Sequence, residues 1–253
     1  MNCASWQSRK KAQVCPDDSA GLSEEPKSGS CFVGFRHSFS RFSRPTPDAD
    51  LRPSGGGAVS RAKKRAMSPV YCGLVHYPVL DRAGAEVATS ITNMDVHDIA
   101  RSARTFGLSG YYVVSPITAQ YPVVNRIVEH WCEGSGRKRF PQRTEAIQLV
   151  RICPSVEDAI GEIRQKEGQP PRVLATSARS EPGREQVSYE AESLRLREGS
   201  EPALILFGTG HGLSSAVFER VNATLPPITG PTTYNHLSVR AAVAITLDRL
   251  FGE

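Results

Sequence analysis

The sequence predicts an α/β domain, with a mostly parallel sheet and helices on both faces, preceded by a disordered basic extension over residues 1–67. Three observations predict it. Residues 1–67 show no hydrophobic periodicity, whereas strand-like and helix-like patterns alternate from Tyr71 onward. The strand-like runs are short and almost continuously apolar, as strands buried on both faces are. The helix-like runs each carry an apolar stripe, so one side faces a core. Such alternation gives a parallel sheet covered by helices, with its ligand site at the carboxyl ends of the strands.

The extension follows from composition. It is rich in Ser, Gly, Pro and Arg, contains Pro53-Ser-Gly-Gly-Gly57, and ends in Arg61, Lys63, Lys64 and Arg65. Such a segment buries too little apolar surface to offset the entropy of ordering. Phe32, Phe35, Phe39 and Phe42 are spaced for one amphipathic turn against a partner or an import receptor, or else are part of the same disordered tail. The net charge is +5, but residues 1–67 hold twelve Lys/Arg against six Asp/Glu, so the remainder is −1. Any nucleic-acid footprint on the domain at 68–253 must therefore be a local patch. Met67 stands just before the first strand, so the extension need not be translated.

The elements follow in order. Tyr71–His76 reads as a strand. Val96, Ile99, Ala100, Ala103 and Phe106 make a helical stripe from Asn93 to Phe106, capped by Asn93 or Asp95 and stopped by Gly107. Tyr111–Val114 is a short strand, and Val124, Ile127, Val128 and Trp131 mark a second helix. Ile147–Ile152 reads as a strand. Ser155 and Asp158 resemble a capping box for a helix with stripe Val156, Ala159, Ile160 and Ile163. Arg172–Thr176 is a strand, Tyr189–Arg197 a helix, and Ala203–Phe207 the most apolar strand. A short helix covers Ser215–Val221, and the last runs from near Asn235 to Phe251.

The cysteines Cys3, Cys15, Cys31, Cys72, Cys132 and Cys153 show no C-x-x-C spacing, so neither a metal site nor a disulfide framework is expected. No apolar run is long enough to span a membrane, and the N-terminus has no apolar signal core. A cytoplasmic protein is the expectation.

Three segments carry candidate chemistry. Arg172-Val-Leu-Ala-Thr-Ser-Ala-Arg179 is an apolar strand ending in small residues, which let a ligand approach the backbone; it also fits a plain strand end entering a loop. Leu204-Ile-Leu-Phe-Gly-Thr-Gly-His-Gly-Leu213 follows a buried strand with three glycines in five residues, leaving backbone groups open to a flat or charged ligand. It is not a dinucleotide fingerprint, because the third glycine would fall at Leu213, and that argues against a nucleotide-dependent oxidoreductase. It lacks the Lys-Ser/Thr pair of a Walker loop. Leu225-Pro-Pro-Ile-Thr-Gly-Pro-Thr-Thr-Tyr-Asn-His-Leu-Ser-Val-Arg240 is a rigid Pro/Gly loop feeding a broadly apolar helix. That breadth predicts burial on two sides, against the sheet and a partner, with small Ala242 and Thr246 permitting close helix contact.

In this order the segments resemble the three carboxyl-terminal motifs of the SPOUT RNA methyltransferases, over about Tyr71 to Phe251. The resemblance implies a C-terminal deep trefoil knot, an exception to the rule against threaded chains, and a homodimer built on the last helix with shared active sites. It implies S-adenosylmethionine held bent by Thr176, Ser177 and Ala178, by Phe207, Gly208, Thr209, Gly210 and Gly212, and by Ile228, Gly230, Asn235, Leu237 and Ser238. His211 departs from the larger aromatic residue often found there. The implied activity is methylation of a nucleotide in structured RNA, tRNA or rRNA. The alternative is a non-catalytic RNA-binding dimer that keeps the fold.

Catalytic candidates are Arg240, one turn into the last helix, His236, and Asn235, whose other role is to cap that helix. Arg240 fits an RNA phosphate or a surface salt bridge. His76 and His97 read as structural. Arg137, Lys138, Arg139 and Arg143, after Gly134-Ser-Gly136, form a basic cluster for RNA or a solvated loop, and Arg179 and Arg184 flank the first motif.

Overall fold

The computed structural model describes residues 67–181 and 183–253; apart from Met67, the expected extension and its phenylalanine turn lie outside the described residues. The chain runs through β1 (Val70–Val75), a hairpin of β2 (Val79–Leu80) and β3 (Glu86–Val87), α1 (Asn93–Thr105), β4 (Gly110–Val114), a 3-10 turn (Thr118–Gln120), α2 (Tyr121–Cys132), α3 (Gly136–Arg139) and α4 (Pro141–Ile147). It continues through β5 (Val150–Cys153), α5 (Val156–Glu167), β6 (Arg172–Ala175), α6 (Tyr189–Glu198), β7 (Ala203–Gly208), α7 (Ser215–Phe218), β8 (Ala223–Thr224) and α8 (Val239–Phe251).

The main sheet has the order β5-β4-β1-β7-β6-β8, and each of its pairings is parallel. Side chains alternate across it with the period of two that a strand imposes. Val70, Cys72 and Leu74 face a core shared with α1, α2, α4, α6 and α8. Tyr71 and Val75 face a second core shared with α5 and α7. At Gly73 a Cβ would stand 2.9 Å from the Leu206 side chain, so glycine lets β7 seat against β1.

The predicted α/β architecture is what the chain adopts, with boundary differences that have physical causes. The strand expected over Ile147–Ile152 is two elements, because Ile147 closes α4 and the strand begins at Val150. Pro141 starts α4, where its missing N–H costs nothing, and Thr144 Oγ1 donates to the Trp131 carbonyl at 2.8 Å. The cap of α1 is Thr92, whose hydroxyl accepts from Asp95 N, rather than Asn93 or Asp95. Ser155 caps α5 as expected. α8 begins at Val239, capped by Ser238 and not by Asn235. The sequence pattern did not reveal the β2–β3 hairpin, whose turn is held by the Asp81 carboxylate accepting from Ala83 N and Ala85 N. Most of the apolar girth of α8 is covered inside the chain: Val243, Leu247 and Leu250 are buried in the core shared with α1 and α6.

Candidate active site

A cleft of roughly 1320 Å³ opens at the carboxyl ends of β6 and β7, and all three motif segments line it. Parallel strands end there with exposed backbone groups, and the connecting loops diverge to leave a crevice. The first wall is Thr176–Glu181, the second Phe207–Leu213, and the third comes from Pro226, Ile228, Thr233, Asn235, His236 and Leu237.

Side-chain and backbone hydrogen bonds lock these loops together. Thr176 continues the β6 ladder, with its N–H and its hydroxyl both donating to Leu206 O at 3.0 Å. Ser177 Oγ donates to Glu181 Oε1 at 2.8 Å. Asn235 Nδ2 donates to Ala178 O at 2.7 Å, joining the third loop to the first. The hairpin clamps the glycine loop: His211 N donates to Leu80 O and Leu80 N donates to Gly212 O, each at 2.9 Å.

The glycines serve the loop's own packing. Gly210 has φ +59°, and a Cβ there would lie 2.8 Å from Leu80 O. A Cβ on Gly208 would lie 2.9 Å from Leu213 N. Of the three, only Gly212, at φ +114°, has open space beside it. A side chain at Gly210 would therefore strike the hairpin.

Behind the glycine loop a chain of polar contacts runs from Val75 to His76. Thr209 Oγ1 donates to Val75 O at 3.0 Å and lies 2.6 Å from Thr89 Oγ1. Thr89 Oγ1 in turn lies 3.0 Å from His76 Nδ1 and 3.5 Å from His76 O. His76 Nε2 is buried and without a partner among the described residues. Burial lowers its pKa from 6.5 to about 4, against a weaker upward pull from Asp95.

One further group is orphaned. Thr246, on α8, is fully buried yet lines the cleft, and its Oγ1 has no hydrogen-bond partner among the described residues. Beside it Phe207, Tyr189, Ile228, Val239 and Ala242 form an apolar lining.

Residues 69–252 match the model of the SAM-dependent RNA methyltransferase family. The chain belongs to that family. It is 46% identical over 191 residues to a tRNA (guanine-N(1)-)-methyltransferase of Oleidesulfovibrio alaskensis, covering 76% of this chain and 44% of that protein. It is 42% identical over 183 residues to an uncharacterized protein of Aquifex aeolicus, covering 72% of this chain and 88% of that one. The chain thus spans less than half the length of the first of these relatives. Among solved structures, TrmJ from Z. mobilis ZM4 is similar at 16% identity and a TM-score of 0.48, over 74% of this chain and 70% of that one.

Of the cofactor residues expected for an RNA methyltransferase, Thr176, Ser177, Ala178, Phe207, Gly208, Thr209, Gly210, Gly212, Ile228, Asn235 and Leu237 line the cleft. Gly230 and Ser238 are not part of that lining, and the Ser238 hydroxyl is engaged as the α8 cap. Arg179, Arg184 and His236 line the cleft, with His236 edge-on to Tyr234 at 5.4 Å between ring centroids. Arg240 is not part of the lining. Its guanidinium reaches Asp95 at 3.5 Å and Asp98 at 3.7 Å, so it ties α8 to α1. Arg137, Lys138, Arg139 and Arg143 stand on α3 and α4, also outside the cleft lining. Sequence reasoning missed Asp95, Tyr189, Leu80 of the hairpin and Thr89 just beyond it as cleft lining. Asp95 alone left a trace in the sequence, as an acidic residue in the first turn of α1.

Proposed function

We propose that this chain methylates a nucleotide of structured tRNA or rRNA, with S-adenosylmethionine bound in the cleft between the three motif loops. The observation that carries this reading is the convergence of those loops on one crevice at the carboxyl ends of β6 and β7. Thr246, a residue of that lining, carries a buried hydroxyl without a partner among the described residues, which is costly; contact with a bound heterocycle would relieve that cost. The cleft also exceeds the 300–1,000 Å³ of typical small-molecule sites, leaving space for a target nucleotide beside the cofactor.

S-adenosylmethionine would supply a methyl group already activated on a sulfonium. What the protein must add is position: a nucleophilic RNA atom held about 3 Å from that carbon, in line and away from water, which is worth roughly 7–11 kcal/mol. The locked loops suit that task, since their bonds already hold the walls of the cleft. Arg179 and Arg184 at the cleft fit phosphate binding, and His236 fits a base for a nucleophile that carries a proton.

The proposal includes the SPOUT knot and a homodimer. The contact between Asn235, before α8, and Ala178, after β6, supports the knot by bringing together the two segments that a threaded chain would cross. Half-buried Ala241, Ala244 and Ile245 leave part of α8 available to a second copy. Ala242 and Thr246, the small residues expected to permit close helix contact, line the cleft. A reducing, cytoplasmic location fits the free thiols of Cys72 and Cys153.

Calorimetric titration with S-adenosylmethionine, paired with mass spectrometry of nucleosides from cells with and without the protein, tests the reading. Saturable binding and loss of one methylated nucleoside are expected. Unchanged nucleosides together with absent cofactor affinity would overturn it.

A further inference from the structure

We propose that the corner where α2, α3 and α4 meet is a platform for single-stranded RNA, on which Phe140 stacks against an unpaired base while Arg137, Lys138 and Arg139 hold the flanking phosphates. The proposal rests on the RNA methyltransferase reading and adds where a single-stranded part of the substrate is gripped.

Phe140 joins α3 to α4 and is 55% exposed, although it is aromatic and lies next to a core. Its ring does not hang loose. It lies against Trp131, with centroids 6.2 Å apart. The Arg143 guanidinium covers Trp131 at 4.7 Å and reaches Phe140 at 6.0 Å. His97 and His130 meet the Trp131 ring edge-on at 5.8 and 5.0 Å. A ring braced this way loses little conformational freedom when a base stacks on it.

The cations beside it point to the same ligand. α3 is a single turn reading Gly-Arg-Lys-Arg, and the last three residues are exposed and form no ion pair with a carboxylate among the described residues. What sets this corner apart from other exposed apolar side chains such as Met94 and Leu194 is that its ring is braced by aromatic neighbours and stands beside three cations. Exposed aromatic surface flanked by cations suits a strand whose bases show their faces and whose phosphates track beside them. A duplex hides those faces.

α1 contacts both the platform and the cleft: His97 packs on Trp131, while Asp95 on the same helix lines the cleft. Two residues apart, they face different sides of the helix. A strand held at Phe140 would reach the cleft by passing around α1.

Fluorescence anisotropy of the full chain tests this, using a labelled single strand of about 16 nucleotides and a duplex of the same sequence. Phe140→Ala should weaken single-strand binding roughly 5- to 160-fold, the range that removing a stacking aromatic gives, and Phe140→Trp should restore it. The salt dependence of Phe140→Ala should match wild type. The pair Lys138→Ala and Arg139→Ala should instead lower the log–log salt slope by about 0.7 for each phosphate no longer neutralised. S-adenosylmethionine binding should be unchanged in all variants. Wild-type affinity in Phe140→Ala, or preference for the duplex, would overturn the platform. A chain that binds the single strand through Phe140 but binds no S-adenosylmethionine and leaves cellular nucleosides unchanged would support the platform and sink the methyltransferase reading.

Discussion

Replacing Thr246 with valine removes one oxygen and keeps the volume, so it isolates the orphaned hydroxyl at the cleft. The hydroxyl is fully buried and has no partner among the described residues. Leaving such a group unsatisfied costs about 1–3 kcal/mol, whereas an apolar group of the same shape does not incur that cost. Thr246→Val should therefore stabilise the ligand-free protein by about 1–3 kcal/mol, raising the melting midpoint by roughly 2–10 °C for a domain of this size. If the hydroxyl meets the cofactor, the same change removes the bond that relieves that cost, again about 1–3 kcal/mol. S-adenosylmethionine should then bind roughly 5- to 160-fold more weakly. Opposite signs in the two assays are the signature, and Thr246→Ser should resemble wild type in binding. Differential scanning calorimetry without ligand and titration calorimetry with it supply both readings. A valine variant that is no more stable, or that binds the cofactor as tightly as wild type, would refute the argument.

Three further outcomes follow. Gly210→Ala should destabilise more than Gly84→Ala: both glycines have positive φ, but only Gly210 has the Leu80 carbonyl where a Cβ would go, and equal losses in urea denaturation would contradict the clamp. His76 is held near pKa 4 when folded against an ordinary 6.5, so between those values the unfolded state binds the extra proton and stability falls as pH drops through that window, by about 3 kcal/mol in total. Denaturation curves from pH 7 to 4 should show this fall and His76→Gln should abolish it, while an unchanged slope in the variant would place the titration elsewhere. Arg240→Ala and Asp95→Asn should be less than additive in a double-mutant cycle, because each removes the same 3.5 Å contact between α8 and α1; strict additivity would show that the pair does not couple the helices.

The fold was legible in the sequence wherever one period dominated. β1, β4, β6 and β7 are short and apolar on both faces, and their alternation with amphipathic runs led directly to a parallel sheet. Legibility failed where periods overlap or elements are minimal. Ile147 and Leu149 around a polar Gln148 mimic a strand, although Ile147 completes the buried side of α4. β2, β3 and β8 are two residues each, too short for any period to register. Helix starts were misplaced by a few residues because Thr92, Asn93 and Asp95, or Asn235 and Ser238, are all able to cap. Which one does so depends on where the others' polar atoms are engaged, and for Asn235 that is the Ala178 carbonyl, 57 positions away in sequence.

The same distinction applies to the site. Motif residues such as Thr176, Asn235 and Thr209 invite reading as ligand contacts because they are polar and lie at the strand ends. In the folded chain the Thr176 hydroxyl is bonded to Leu206, the Asn235 amide to Ala178, and the Thr209 hydroxyl to Val75. Their chemistry holds three separate loops at fixed mutual positions, and each of those bonds joins the ends of different elements. A loop held this way presents its remaining backbone groups without first having to order them, which lowers the entropic cost of binding. Recognition is then left to shape, to main-chain groups and to the few side chains that stay unengaged. Thr246 is such a side chain, and it lies on a helix whose apolar sequence gave no reason to look for a ligand there. Substitutions at Asn235 should accordingly act through loop position, so Asn235→Ala should lower cofactor affinity and thermal stability together, whereas Thr246→Val separates the two.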